Sequence, residues 1–337
     1  MSNPLSSRDT SVDLLRFLGI SMILLAHIVP PNGVFQLRSF DVPLMIFVSG
    51  LSYSGRGITG YGRFVWKRLK RLLAPLYLFL VLYLLVVYGL SQAGLADWFP
   101  DRKIVGTFLL RLNPSIGYVW IFRVFLIVML MTPPLIRLER AVRRDSTFIG
   151  LIAVSFALQC LLVAWLKPLK MGFWVDDYLL YAVGYSILFL LGLRMRYAGC
   201  CRRILFGALF AATMVCAAFA MQRAEGTWLR MQPYKYPPQF YFLLWGSAVS
   251  VVLWCVKDHW NRLLAWRPLL FVGRNTIWIY LWHIPFVKPV KTVFADSGWV
   301  VRFLVIYAIA VGIYLLQYHL VGAIEKRTGA KLTYLKG

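Results

Sequence analysis

Two side chains able to do polar chemistry interrupt the first long apolar stretch of the chain, Val12 to Val29. Arg16 and His27 stand in it with ten residues between them. In a helix they lie about three turns and roughly 16 Å apart and project from nearly one face. Arginine pairs with phosphate oxygens, and histidine exchanges a proton near neutral pH. Because ionisable groups are costly in hydrocarbon, this face is predicted to line a path through a helical bundle.

A simpler structural alternative accounts for each of these residues alone. Arg16 then reaches the membrane surface with its charge paired to Asp13, three residues earlier, and His27 is a hydrogen-bonded histidine of the bundle interior. Further ionisable side chains lie in or at the ends of other apolar stretches, and for each of them a functional and a purely structural role are again the alternatives. They are Asp41, Arg123 and His283.

These residues are predicted to lie on membrane helices, because the composition leaves few polar residues for a soluble domain. Of the 337 residues, 60% are hydrophobic and 15% are charged, whereas soluble domains are more polar. About ten apolar stretches are long enough, or nearly so, to cross a bilayer. They run from Val12 to Val29, Asp41 to Ser54, Leu72 to Leu90, Tyr118 to Leu135, Phe148 to Leu166, Tyr178 to Met195, Ile204 to Ala220, Gln239 to Val256, Thr276 to Val287 and Val300 to Ala323.

The charge pattern predicts the orientation and argues against nucleic acid as a partner. The formal net charge is +24, but the Lys and Arg residues sit between apolar stretches and not on a soluble basic face. The segments richest in them alternate as expected if both termini are cytoplasmic. The cysteines lack metal-ligand spacing, and the first helix lacks a cleavage site and is expected to be retained. The sequence therefore predicts an all-α, polytopic membrane helical bundle, a single domain over residues 1–337.

Five segments, in order, resemble the membrane-bound acyltransferase-3 family. The opening DLLRFLGISMILLAH carries the family's Asp, Arg and His pattern at Asp13, Arg16 and His27. The segment FDVPLMIFVSGLSYS resembles its second helix, with the Ser-Gly pair at Ser49 and Gly50. The other three are KRLKRLLAPLY with Arg68 and Arg71, YVWIFRVFLIVMLMTPPL with its Thr-Pro pair, and TIWIYLWHIPF with Tyr280, Leu281 and His283.

The resemblance implies an O-acetyltransferase of the cell inner (plasma) membrane. Its reaction would move an acetyl or other acyl group from cytoplasmic acetyl-CoA to a hydroxyl of a cell-surface polysaccharide or lipid-linked sugar. No bound cofactor and no metal is implied, because acetyl-CoA is a substrate. The implied partners are the acyl-CoA, the glycan acceptor and the lipid bilayer, while a homo-oligomer or polysaccharide-assembly partners are left open.

The residues implied to bind the donor are Arg16, Ser49, Gly50, Arg68 and Arg71. Arg68 and Arg71 would meet the phosphates bidentately, although the cations of this loop also fix its orientation. Arg16 would bind the pantetheine arm or a phosphate inside the bundle. Ser49 would donate to the thioester carbonyl, and Gly50 would let a ligand or a neighbouring helix approach. Helix packing alone would also account for both small residues.

His27 and Asp41 are the predicted catalytic residues. His27 either takes the proton of the sugar hydroxyl or carries the acyl group itself. Asp41 either holds the second ring nitrogen of His27 or caps the second helix. Arg123, which pairs with Asp41 or binds an anionic acceptor, and His283 are the predicted acceptor contacts. Arg123 departs from the uncharged or acidic residue common in the family.

A transporter or flippase of a glycan or lipid-linked substrate is the alternative function. Ionisable residues in membrane helices also mark transport paths, and the short second and ninth stretches resemble the broken helices of transporters. Against this function stand the lack of inverted symmetry and the cationic loop on one side only. Binding of a CoA thioester separates the two, since only the enzyme requires it.

Overall fold

Helices make up the regular structure of the chain. The computed structural model describes residues 9–53, 60–95, 99–228, 230–260 and 266–336, and these contain no strand. The helices are α1 (Thr10–Ala26), α2 (Asn32–Leu37), α3 (Asp41–Leu51), α4 (Tyr61–Gln92), α5 (Ile104–Phe108), α6 (Trp120–Ala141), α7 (Asp145–Leu166), α8 (Leu180–Arg196), α9 (Cys200–Glu225), α10 (Phe240–Cys255), α11 (Arg267–Arg274), α12 (Thr276–His283), α13 (Val287–Val293), α14 (Trp299–Thr328) and α15 (Thr333–Lys336).

Among the described residues, seven helical segments are long and apolar enough to cross a membrane, and α10 is a shorter apolar helix. The prediction of an all-α membrane bundle is confirmed, whereas the count of about ten spans and the cytoplasmic termini stay predictions. The seven segments are Asn32–Leu51, Tyr61–Gln92, Trp120–Ala141, Asp145–Leu166, Val175–Arg196, Cys200–Glu225 and Trp299–Thr328.

The ninth predicted stretch is interrupted in the structure. The stretch from Thr276 to Val287 is divided, because α12 ends at His283 and a 3-10 turn over Ile284–Phe286 follows it. Pro285 lies in that turn and cannot donate a backbone hydrogen bond to the preceding turn of helix. The predicted end of the second stretch at Ser54 lies outside the described residues.

Buried and exposed helices are segregated as in a membrane bundle. The pair α3 and α8 is largely buried, and α1, α6 and α10 pack around it. The helices α7, α9 and α14 have few buried side chains and are mostly half-buried or exposed, with apolar residues such as Leu161, Phe219 and Leu316 on the surface. In a bilayer these faces meet lipid chains, and the backbone polar groups remain paired inside each helix.

The contact between α3 and α8 depends on two glycines. A Cβ atom on Gly50 would lie 2.3 Å from the carbonyl oxygen of Phe189, and one on Gly192 would lie 2.1 Å from that of Phe47. Both separations are far shorter than a van der Waals contact, so only glycine lets the two backbones meet this closely. The crossing thereby fixes the rotation and height of α3, which carries several of the predicted site residues.

The course of the chain defines two ends of the bundle. Helix α1 begins at one end and stops at His27, which is its C-cap. At that second end α2 and a 3-10 turn over Arg38–Phe40 lead the chain back into α3. The Arg16 side chain donates a hydrogen bond to the Ser52 hydroxyl, just after α3 has returned to the first end. We refer to the Arg16 end and the His27 end.

Candidate active site

A cavity of about 560 Å³ opens at the Arg16 end. Its volume is within the range of small-molecule and cofactor sites. Four helices, α1, α4, α8 and α11, each direct arginine side chains into it, and Ser49 of α3 also lines it. Its arginines among the described residues are Arg16, Arg68, Arg71, Arg196 and Arg274, and we refer to this cavity as the arginine vestibule.

A shared carboxylate orients Arg16 on the vestibule wall. Its NH1 donates to Asp13 Oδ1 at 2.8 Å, and its NH2 donates to Ser52 Oγ at 2.6 Å. The other Asp13 oxygen accepts from Arg274 Nε at 2.9 Å, and Asp13 itself is fully buried. The pairing expected of a surface-reaching Arg16 is therefore present, but it holds the guanidinium against a cavity.

A smaller cavity of about 170 Å³ adjoins the vestibule. Several residues, Arg16 among them, line both cavities. On α1 the wall of the smaller cavity includes Ile20 and Ile23, which lie between Arg16 and His27 on one helical face. Most of its other lining is apolar, and Tyr280 of α12 also contributes to it. We refer to it as the apolar passage.

His27 and His283 form a hydrogen-bonded pair at the His27 end. The Nδ1 atom of His283 contacts the carbonyl oxygen of Tyr280, which can only accept, so this nitrogen carries a proton. In a neutral His283 ring, Nε2 is then an acceptor, and it lies 2.9 Å from Nδ1 of His27. His27 Nδ1 must be the donor, which leaves the lone pair of His27 on Nε2. Within the described residues that nitrogen makes no hydrogen bond, so it is available as a base.

Aromatic side chains hold the histidine pair in place. The two imidazole rings lie 4.9 Å apart and are inclined by 17°, and Tyr118 packs edge-on against His27 at 4.9 Å between ring centres. The Tyr280 hydroxyl donates to the Tyr118 carbonyl at 2.5 Å. His283 is fully buried, whereas His27 is only partly buried. His27 is therefore the more exposed member of the pair, and neither histidine lines the vestibule or the apolar passage.

Asp41 pairs with two cations instead of with His27, which corrects the predicted contact. Arg38 NH1 donates to Asp41 Oδ2, and Lys235 Nζ lies 3.5 Å from Oδ1. Each of these side chains is 4% exposed or less. Burial lowers the pKa of Lys235 to about 8, against the opposing effect of Asp41, so the amine is mainly charged at neutral pH. We refer to Arg38, Asp41 and Lys235 as the Asp41 cluster.

Arg123 belongs to a second buried cluster, so its predicted pairing with Asp41 is not realised. Arg123 NH1 donates to Asp177 Oδ1, and Arg111 Nε donates to Asp177 Oδ2 at 3.1 Å. Arg123 is fully buried, with its guanidinium 4.8 Å from the ring centre of Tyr181. Asp177 lies in the π-helical turn just before α8. We refer to Arg111, Arg123 and Asp177 as the Asp177 cluster.

The predicted donor residues come together, with Gly50 as the exception. Arg16, Ser49, Arg68 and Arg71 share the vestibule, whereas Gly50 lines neither cavity and packs against α8. The Ser49 hydroxyl donates to the Met45 carbonyl at 2.9 Å, so it must rotate before it can donate to a ligand. His283, predicted as an acceptor contact, is instead bonded to His27.

Several site residues carried no recognisable signal in the sequence. Arg196 and Arg274 stood among the cations that fix the orientation of the loops, so their charge already had an explanation. Arg38 and Lys235 lie outside the long apolar stretches, and their contact with Asp41 joins segments far apart in the chain. No local periodicity marks such a contact.

The helical bundle, its cationic cavity and the hydrogen-bonded histidine pair define a multi-pass membrane protein with an internal polar site. Residues 9–318, nearly the whole chain, match a family model described as an acyltransferase domain. The chain therefore belongs to the acyltransferase-3 family, as its five segments predict. No curated protein and no solved structure matches it.

Proposed function

We propose that the protein transfers an acetyl group from cytoplasmic acetyl-CoA to a hydroxyl of a cell-surface polysaccharide or lipid-linked sugar. One observation carries the proposal: the arginine vestibule, the apolar passage and the histidine pair follow one another along a single face of α1. Acetyl-CoA has its parts in the same order, a phosphorylated nucleotide, a slender arm and a thioester. Membership of the acyltransferase-3 family supports the reaction class.

The two cavities differ in charge and in size, as the nucleotide and the slender arm of acetyl-CoA do. Arg68, Arg71 and Arg196 come from two helices and offer several N–H donors to the nucleotide phosphates. The apolar passage, at about 170 Å³, fits the pantetheine arm better than a nucleotide. Arg16 lies where the two cavities meet, so it contacts the last phosphate or the first amide of the arm.

The histidine pair supplies the base. Nε2 of His27 takes the proton of the acceptor hydroxyl while the hydroxyl oxygen attacks the thioester carbon. The new C–O bond forms, the C–S bond breaks, and the thiolate leaving group receives the proton from the imidazolium. Nε2 of His283 accepts the Nδ1–H of His27 throughout, which stabilises the imidazolium while it exists. If His27 carried the acetyl group instead, the same Nε2 would bear it.

The test is release of CoA thiol from acetyl-CoA by purified protein in lipid nanodiscs, with and without a pooled surface-glycan fraction. Wild type is compared with His27→Ala and with His319→Ala, a matched change of an exposed histidine on α14. Glycan-dependent release is expected for wild type and His319→Ala, and a loss of about 10²-fold or more for His27→Ala.

Two results would count against this function. Normal release by folded His27→Ala would remove His27 from the chemistry. Failure of folded wild type both to bind acetyl-CoA and to release thiol would overturn the proposal. Uptake of labelled glycan into proteoliposomes would then be the measurement that supports the transporter alternative.

A further inference from the structure

A second cationic region lies at the His27 end, where the proposed donor phosphates do not reach. The Asp41 cluster and the Asp177 cluster each set two cations against one carboxylate. Together they leave about two positive charges without a counter-charge at neutral pH. The arginine vestibule is about three helical turns away along α1. Arg38, Lys235 and Arg123 are buried, and buried positive charge in excess of the available carboxylates is costly, so this surplus requires an explanation of its own.

The two clusters are neighbours. Lys235 Nζ lies 5.5 Å from the ring centre of Trp120, which is three residues before Arg123 on α6. The Arg123 guanidinium lies 4.8 Å from the ring centre of Tyr181, and the Tyr181 ring stacks on that of Tyr185 at 6.3 Å.

Both clusters lie near the proposed reaction centre. Tyr118, two residues before Trp120, packs edge-on against His27 at 4.9 Å between ring centres. The 3-10 turn that carries Arg38 also packs against α1. A ligand bound between the clusters would thus lie near the histidine pair.

Several donors in this region have no hydrogen-bond partner anywhere in the described chain. Arg123 and Tyr185 are fully buried, and Arg38 is 3% exposed. Buried donors in native proteins are nearly always satisfied by protein, water or a ligand. Unpaired donors beside surplus positive charge favour an anion with more than one acceptor oxygen. The unpaired atoms are Arg38 Nε, Arg123 Nε, Arg123 NH2 and the Tyr185 hydroxyl.

We propose that the acceptor carries an acidic group, a carboxylate or a phosphate, which binds between the Asp41 and Asp177 clusters while a hydroxyl of the same molecule meets His27. The proposal rests on the proposed function, whose acceptor it restricts to anionic glycans or lipid-linked sugars. The acidic group accepts hydrogen bonds from the unpaired arginine and tyrosine donors and neutralises the surplus charge. A neutral sugar would leave the unpaired donors and the surplus positive charge without a partner. The protein should therefore select its acceptor by negative charge.

Tyr185→Phe is the sharpest test, because the Tyr185 hydroxyl makes no hydrogen bond that the fold would lose. The ring and its packing are retained, so any change in ligand binding reports a contact of the hydroxyl with the ligand. Ser250→Ala is the matched control, since Ser250 also carries a fully buried hydroxyl without a partner in the described residues. It lies ten residues after the start of α10 and so further from the His27 end of the bundle.

Binding is measured without turnover, as thermal stabilisation of the full chain in nanodiscs of zwitterionic lipid. Glucuronate is compared with glucose, and glycerol 3-phosphate with glycerol, at matched ionic strength, so that the arms separate a carboxylate from a phosphate. We expect one anion to bind at least about tenfold more tightly than its neutral counterpart. Tyr185→Phe should weaken that binding by about tenfold, the effect of one lost hydrogen bond to a charged group, and Ser250→Ala should leave it unchanged.

Equal binding of charged and neutral probes would overturn the proposal, as would undiminished binding of the anion to Tyr185→Phe. Water alone would then satisfy these donors. The outcome is separable from the proposed function: thiol release with no preference for anions would leave the acetyltransferase standing without this site. Anion binding in a protein that never releases thiol would overturn the transferase and make the anion part of a transport substrate.

Discussion

His283 determines which nitrogen of His27 can act as a base. Its own Nδ1–H is directed to the Tyr280 carbonyl, so its Nε2 must accept from His27. If that acceptor is lost, His27 no longer has a reason to keep its proton on Nδ1, and the ring is free to rotate or to change tautomer. In the proposed reaction His283 therefore acts through His27, as a positioning residue.

Replacement of His283 should reduce turnover without weakening donor binding. His283→Leu removes the acceptor, and we expect kcat to fall about 10²-fold while KM for acetyl-CoA is unchanged, because the arginine vestibule is at the other end of α1. His283→Gln keeps an acceptor oxygen near Nε2 and should recover part of the loss. Steady-state kinetics of both variants check this, and wild-type kcat in His283→Leu would assign the bond a structural role only.

The close approach of α3 and α8 fixes the positions of both helices in the bundle. Gly50 and Gly192 face each other across the crossing, and neither backbone can retreat without moving a helix that is buried on most sides. Since α3 also carries Ser49 towards the vestibule and Asp41 into its cluster, the crossing positions residues at both ends of the bundle.

Gly50→Ala should destabilise the fold. The added methyl would clash with the backbone of α8, and overpacking of this kind costs roughly 1–3 kcal/mol. Gly312→Ala on α14 is the control, because a Cβ there meets open space. Thermal unfolding in detergent should show a lower midpoint for Gly50→Ala and an unchanged or higher one for Gly312→Ala. A stable Gly50→Ala with a raised KM for acetyl-CoA would instead return Gly50 to the donor site.

For the whole molecule, the orientation in the membrane decides which compartment supplies each substrate. Cytoplasmic acetyl-CoA requires the arginine vestibule to face the cytoplasm, which agrees with the preference of Lys and Arg for that side. The helix α8 ends at the vestibule through Arg196, and Cys200 begins the next helix at that end. Ser91 lies near the opposite end of α4.

Labelling of single cysteines in intact cells should show this orientation. In a chain whose other cysteines are replaced, Cys200 should resist a membrane-impermeant maleimide until the membrane is opened. Cysteine at position 91, from Ser91→Cys in a chain without other cysteines, should react without opening. The reverse pattern would place the vestibule away from cytoplasmic acetyl-CoA and contradict the proposed donor side.

Features that depend on one helix at a time could be predicted from the amino-acid sequence. Apolar stretches predicted the bundle, and the spacing of Arg16 and His27 predicted a shared face, because the period of a helix fixes where each side chain lies around its own axis. Five ordered segments indicated the family, and the grouping of Arg68 and Arg71 with Arg16 followed from their place at one end of the bundle.

Contacts between side chains of different helices could not be predicted in this way and became visible in the folded bundle. His27 bonds His283, distant in sequence, and Asp41, closer in the chain, bonds Arg38 and Lys235 instead. Helical periodicity gives the direction of a side chain but not the helix that lies opposite it. That partner depends on helix crossings such as the one at Gly50, where close packing and the need to pair buried charges select a single arrangement.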